Sequence, residues 1–228
     1  MALDEIVLDS APPGGLVLRF YRWPGGSPEP GTRMNPAAVT FGYFQTWREV
    51  SADISRSGVI PAFPVVRRPT GGGIVYHDGD ITFSLVFPWD RFASTDLVYK
   101  DLHRGVHLGL KGLGLGSRLW SPTEPERSRP APSACFAAPS PMDLVLDDGA
   151  KVLGGALRRR RGVGLYQGSF RPEGYGGPRA RIERAIREGM SLEWTASFMP
   201  EGLCAEWLEQ TQRLRADRYM TDEWNLRR

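Results

Sequence analysis

The sequence predicts an α+β fold, a single domain with a mixed, largely antiparallel sheet flanked by helices. Three observations lead there. Strand-like segments cluster in the middle of the chain, helical periodicity appears at both ends and between them, and no internal repeat divides the sequence. The 228 residues, 41% of them hydrophobic, can bury one sizeable core, so one domain is expected over 1–228.

Residues 2–8 read as the end of an amphipathic helix. Leu16 to Trp23 alternates apolar and charged residues, as a half-buried strand does. Gly25 to Pro36 is rich in Gly and Pro and predicts a loop. Ala38 to Phe44 predicts a strand. Gly58 to Arg68 is short, apolar and punctuated by proline, which suits an edge strand. After the Gly71-Gly72-Gly73 turn, Ile74 to His77 and Asp80 to Pro88 are strand-like, and Asp78-Gly79 between them is a hairpin signal. Leu97, Leu102, Val106, Leu110 and Leu113 give helical spacing over Ser94 to Leu115. Ser117 to Ser133, dense in Pro, Ser, Arg and Glu, predicts a long irregular loop. Asp143 to Leu146 is a short strand that turns at Asp147-Asp148-Gly149 into Lys151 to Arg160, and Arg161 to Phe170 completes the sheet. Arg179 to Glu188, Ala205 to Tyr219 and Thr221 to Leu226 read as helices.

Composition excludes several function classes. Charged residues make up 24% and the net charge is +3, with a pI near 9.0. That is too mild to argue for nucleic acid. No stretch approaches the roughly 20 apolar residues that span a bilayer, and Met1 to Ser10 carries Asp4 and Glu5 where a secretory signal would be basic and then apolar. Two distant cysteines, Cys135 and Cys204, make no disulfide framework, so a reducing, cytoplasmic setting is expected.

Two segments carry chemistry. In Arg67-Arg68-Pro69-Thr70-Gly71-Gly72-Gly73, three glycines bare the backbone so that N–H groups can approach an anionic or carbonyl oxygen, and two arginines add fixed positive charge. A plain hairpin turn is the bland reading. In the second, Lys151 opens a strand that continues Val152-Leu153-Gly154-Gly155-Ala156, and two glycines let its ammonium swing over a pocket floor. A lysine ammonium beside a thiol favours the nucleophilic thiolate, which draws attention to Cys135. Taken alone, Cys135 reads as a small buried hydrophobe and Lys151 as a solvated charge.

These segments resemble the lipoate–protein ligase A, octanoyltransferase and biotin–protein ligase superfamily. Arg67 to Asp78 resembles its signature, with two arginines, the Gly triplet and a His77-Asp78 end in order. Pro36 to Gly42 and Gln45 resemble the strand and Gln before it. Lys151 to Ala156 resembles the lysine strand, Gln167-Gly168-Ser169 the strand that follows, and Arg218 to Asn225 the closing helix. The resemblance implies a biotin/lipoate ligase catalytic-domain fold with one deep acyl-binding tunnel. Ala134-Cys135-Phe136 resembles the cysteine of octanoyl-carrier-protein:protein octanoyltransferases, which hold the acyl chain as a thioester. ATP-dependent ligases usually have Arg-Asn-Asp-Leu where this chain has Met142-Asp143-Leu144. An accessory C-terminal domain is not expected after Trp224-Asn225. One departure stands out: Tyr166-Gln167 occupies a strand that carries a His in the family.

The resemblance implies octanoyl transfer from acyl-carrier protein to a lysine of a lipoyl carrier domain, the glycine cleavage H protein or a dehydrogenase-complex E2 subunit. Cys135 would be the nucleophile and Lys151 the oxyanion stabiliser. Arg68, Thr70, Gly71, Gly72, Gly73, His77, Asp143, Gly154, Gly155, Ala156, Gln167, Gly168 and Ser169 would bind substrate, and apolar strand residues would form the tunnel. The transferase needs no cofactor and no metal. The first alternative is a lipoate–protein ligase, which requires ATP and Mg²⁺. The second is a degenerate binder of acyl chains or carriers.

Other signals are discounted. His103 and His107, four apart on a predicted helix, lack a third metal ligand and read as a solvated face. Gly109, Gly112, Gly114 and Gly116 do not make a dinucleotide fingerprint. Arg158 to Arg161 reads as a solvated hairpin face, with docking of an acidic carrier as its functional alternative. Cys204, among Leu203, Trp207 and Leu208, reads as core.

Overall fold

A computed structural model describes residues 1–12, 14–23, 36–58, 63–121, 135–172, 175 and 177–227. Most of the predicted Gly25–Pro36 loop and of the Ser117–Ser133 loop lies outside these residues. Along the chain run α1 (Ala2–Ser10), β1 (Val17–Tyr21), β2 (Ala38–Phe41), α2 (Trp47–Ser57), β3 (Val65–Arg67), β4 (Val75–His77), β5 (Ile81–Pro88) and α3 (Thr95–Gly112). They are followed by β6 (Arg118–Leu119), β7 (Leu144–Val145), β8 (Lys151–Arg160), β9 (Val163–Phe170), α4 (Arg179–Trp194), α5 (Ala205–Leu214) and α6 (Asp222–Asn225). A π-helical turn, Arg215–Tyr219, prolongs α5.

Among the described residues the strands form two sheets. The larger has the order β1-β5-β9-β8-β7-β6 and the smaller β3-β2-β4. Every pairing is antiparallel except β2 with β3. The expected mixed, largely antiparallel architecture is therefore present, divided in two. Asp78-Gly79 does not close a hairpin, contrary to its local signal. It carries the chain from β4, which pairs with β2, to β5, which pairs with β1 and β9. The true hairpin turns at Arg161 (φ 49°) and Gly162 (φ 80°), whose two left-handed residues suit the twist of β8 and β9.

Period-two alternation gives the large sheet two unlike faces. One presents Phe83, Leu85, Phe87, Tyr166 and Phe170 to α3 and α4, whose Leu102, Val106, Leu110, Ile186 and Met190 are all fully buried. The two helices touch backbone to backbone: a Cβ on Gly109 would lie 1.9 Å from the Ala185 carbonyl oxygen. Gly109 is thus a packing residue.

The opposite face is polar. Register aligns Tyr21, Thr82, Ser169 and Gly154 in one row across four strands, and Arg19, Ser84, Gln167 and Ala156 in the next. Two buried carboxylates gather these rows. Asp4 of α1 accepts from Arg19, Ser84 and Gln167, each at 2.6 Å. Asp80 accepts from Thr82 at 3.0 Å and Ser169 at 2.6 Å, and lies 3.0 Å from His77 Nδ1. Burial alone would raise both carboxyls. The Arg19 charge and hydrogen bonds at Asp4, and the His77 and hydroxyl contacts at Asp80, outweigh it and hold both below the ordinary carboxylate value.

Two local readings are corrected. Helix α2 begins with a reciprocal capping box between Thr46 and Glu49 and ends at Gly58 (φ 68°), yet the sequence reading assigned no helix there. Cys204 is exposed rather than core and caps α5, its Sγ 3.5 Å from the Trp207 amide. No helix among the described residues is long and apolar enough to cross a membrane.

Candidate functional site

A small, partly open cavity lies between the polar face of the large sheet and the turn that follows β3. Its lining includes ten of the residues singled out from sequence: Cys135, Arg68, Gly72, His77, Gly154, Gly155, Ala156, Gln167, Gly168 and Ser169. Thr70, Gly71 and Gly73 shape the turn without lining the cavity. Met1, Tyr21, Thr40, Val75 and Thr82 also line it and were not anticipated. Of the apolar strand residues expected to form a tunnel, Val75 and Ala156 line the cavity, while Phe83, Leu85, Phe87 and Phe170 face α3 and α4. Besides Met1 and Val75, the cavity wall is built from small and hydrogen-bonding groups.

The two arginines of the signature have different tasks. Arg67 is fully buried and donates to the carbonyls of Tyr43, Gln45, Trp224, Asn225 and Arg227. It fastens the C-terminal segment and brings no charge to the turn, contrary to expectation. Arg68 does face the turn. Its Nη1 donates to Thr40 Oγ1 at 2.8 Å, and its Nη2 donates to the Gly71 and Gly73 carbonyls at 2.9 and 2.8 Å. Gly72, between them, has φ +83°, a conformation that a side chain would strain. Thr40 also lies 2.8 Å from His77 Nε2, which ties the turn to the Asp80 group. Thr70 donates to Gln167 Oε1 at 2.7 Å, and Gln167 donates to Asp4. The glutamine that departs from the family's pattern is thus fixed at both ends of its amide.

Cys135 is half-buried, its amide donating to the Ile74 carbonyl at 2.8 Å. Lys151 lies beside it with its side chain 4% exposed. Lys151 Nζ is 2.7 Å from Asp143 Oδ2, 2.6 Å from the Cys135 carbonyl oxygen and 3.6 Å from Cys135 Sγ. A buried ammonium needs such pairing to stay charged. Gly154 makes the approach possible, because a Cβ there would come within 2.4 Å of Lys151 Cε and 3.3 Å of Cys135 Sγ. Asp143 is held in turn by the Ser140 amide at 2.6 Å.

The discounted residues also settle into place. His103 is fully buried, so the solvated reading fails for it: Nδ1 lies 2.6 Å from the Met142 carbonyl and Nε2 2.7 Å from the Tyr166 hydroxyl. His107 pairs with Ser117. Among the described residues no group of three or more His, Cys, Asp and Glu side chains could hold a metal ion. The arginine run is mostly engaged within the chain. Arg158 donates to the Pro69 carbonyl, Arg159 stacks over Trp89 and Arg160 pairs with Asp9 at 2.8 Å.

Residues 32–174 match the model of the lipoyl protein ligase A/B catalytic domain. The octanoyltransferase LipM of Kyrpidia tusciae is 31% identical over 275 residues, covering 100% of this chain and 94% of its own length. That of Bacillus subtilis is 30% identical over 277 residues, covering 100% and 93%. Among solved structures, the bi-partite lipoate protein ligase of Thermoplasma acidophilum superposes with a TM-score of 0.73 at 22% identity, covering 99% of this chain and 89% of that one, and it supports the fold. The signature turn, the lysine strand and the cavity's lining apart from Met1 and Tyr21 fall within the matched segment, and the chain belongs to the lipoyl protein ligase A/B catalytic-domain family.

Proposed function

We propose that this protein is an octanoyltransferase of protein lipoylation that works through a thioester on Cys135. The observation that carries the reading is the position of Cys135 Sγ, at the cavity wall above Gly154 and 3.6 Å from a buried lysine ammonium. The names of its relatives in Kyrpidia tusciae and Bacillus subtilis support octanoyl transfer.

Lys151 has three N–H donors. Asp143 and the Cys135 carbonyl take two, and the third is free to serve the sulfur side. Beside the Lys151 charge, the Cys135 sulfur attacks as a thiolate the carbonyl carbon of an octanoyl thioester on acyl-carrier protein. The new C–S bond forms as the carrier's C–S bond breaks, and the carrier thiolate takes a proton from water. During the attack, negative charge develops on the acyl oxygen next to the same ammonium, which needs no reorganisation to meet it. The neutral ε-amine of a lipoyl-domain lysine then attacks the acyl-enzyme. A C–N bond forms, the electron pair returns to Sγ and the amine proton passes to solvent. No bond in this sequence needs a nucleotide. The acceptor is the lipoyl domain of an E2 subunit or the glycine cleavage H protein.

The test separates transferase from ligase. Octanoyl-carrier protein, apo lipoyl domain and a metal chelator, without nucleotide, should give octanoylated domain. Free lipoate with ATP and Mg²⁺ should give little product. The reverse pattern would make the protein a lipoate–protein ligase and leave Cys135 a packing residue. Inactivity in both assays, with carrier binding retained, would point to the degenerate binder.

A further inference from the structure

Helix α3 reaches the site through Tyr99, whose hydroxyl donates to the Gly155 carbonyl at 3.4 Å, and through His103, which the mechanism above leaves unused. His103 projects from its buried face among Val98, Leu102 and Val106 and is fully buried. A backbone carbonyl can only accept, so the 2.6 Å contact with the Met142 oxygen places a proton on Nδ1. Burial disfavours the imidazolium and lowers the His103 pKa below its ordinary value, so Nε2 accepts from the Tyr166 hydroxyl at 2.7 Å. Both ring nitrogens are therefore committed.

The two partners lead to the site by different routes. Met142 has φ +69°, a left-handed conformation that a residue with a Cβ adopts only when its surroundings impose it. The next residue is Asp143, which holds Lys151 at 2.7 Å. Tyr166 lies beneath the cavity floor: a Cβ on Gly155 would come 2.2 Å from its ring and one on Gly168 2.6 Å. A single imidazole thus joins the strained turn behind the carboxylate to the ring under the glycines.

We infer that His103 is a positioning residue, whose Nδ1–H holds the Met142 carbonyl so that Asp143 sets the Lys151 ammonium against Cys135. The inference rests on the reading that Cys135 and Lys151 carry the acyl transfer. Its test therefore includes a readout independent of that activity, the rate of Cys135 alkylation by iodoacetamide at fixed pH. The amide nitrogen of Asn can replace Nδ1, whereas that of Gln reaches only toward the Nε2 position. His103→Asn should keep both alkylation and single-turnover acylation within about 3-fold of the parent. His103→Gln should slow both by about 10-fold or more, with KM for the carrier little changed. Met142→Gly, which adopts the left-handed turn without strain, should restore much of the loss in the His103→Gln background.

Losses that follow the melting temperature alone, equal for Asn and Gln, would overturn the inference, as would parental rates in both variants. If the His103 variants do not fold, Tyr166→Phe decides the matter, since it leaves the Nδ1 bond and the ring in place. It should stay within about 3-fold of the parent, and a loss beyond 10-fold with unchanged melting would show that His103 serves the floor and not the turn. Normal alkylation trends without any acyl transfer would instead leave His103 as inferred and remove the octanoyltransferase reading.

Discussion

The two faces of the six-stranded sheet are made from the same strands in the same register, yet they do opposite work. On β5, Phe83, Leu85 and Phe87 face α3 and α4, while Thr82 and Ser84 face the cavity side. The first face is held by burial of apolar area, each aromatic contributing a few kcal/mol with little dependence on direction. The second is held by directed bonds converging on Asp4 and Asp80, where every donor must be aimed. A non-directional face tolerates rearrangement, whereas a directed one fixes atoms to fractions of an ångström, which is what the proposed reaction of Cys135 and Lys151 requires. The division assigns stability to one side of the sheet and chemistry to the other.

The largest effects should separate the faces. Phe83→Ala, on the apolar side, should cost about 3–5 kcal/mol in urea unfolding and leave the rate per folded molecule near normal. Lys151→Ala, on the other side, should lower turnover by about 10²–10³, with the larger change in kcat than in carrier KM. A Phe83→Ala protein that stays folded but loses turnover, or a Lys151→Ala protein with parental turnover, would break the division.

A smaller effect tests His103, which links the apolar face to the turn behind Asp143. Folded His103 stays neutral to a lower pH than a histidine of the unfolded chain, which takes up its proton near its ordinary value of about 6.5. Unfolding therefore binds a proton below that pH. The contribution of His103 to stability is complete above about pH 6.5 and is lost as the pH falls through the folded value, at no more than about 1.4 kcal/mol per pH unit. Urea unfolding at pH 7 and pH 5.5 should show a shallower decline for His103→Asn than for the parent. Equal declines would place the titration elsewhere. Asp4 and Asp80, both held below the ordinary carboxylate value, add their own losses only in more acidic solution.

Local chemistry in the sequence disclosed most of the fold. Alternation marked β1, and the Asp147-Asp148-Gly149 turn led into β8, whereas the turn at Arg161 and Gly162 was read as the start of β9. Helix α2 escaped because only Val50 and Ile54 are buried along it, too sparse a stripe to show a helical period, although Thr46, Glu49 and Gly58 spell out its two ends. Asp78-Gly79 misled because a turn signal is local and cannot say which partners the flanking strands will choose. In the candidate site, glycines and charged residues were legible because their types are unusual in strands. Thr40, Tyr21 and Thr82 were not, because such residues are ordinary in half-buried strands. His103 was misread because helical spacing alone does not reveal that Met142 and Tyr166, 39 and 63 residues away, satisfy its ring.

The central claim is that Cys135 carries the acyl group. Intact-mass measurement after incubation with octanoyl-carrier protein, without nucleotide, tests it most directly. An adduct of one octanoyl group, removed by hydroxylamine, should form on Cys135 and be absent in Cys135→Ser, while Cys204→Ser retains it. A Cys135→Ser protein that still transfers octanoate to the lipoyl domain at the parental rate would contradict it.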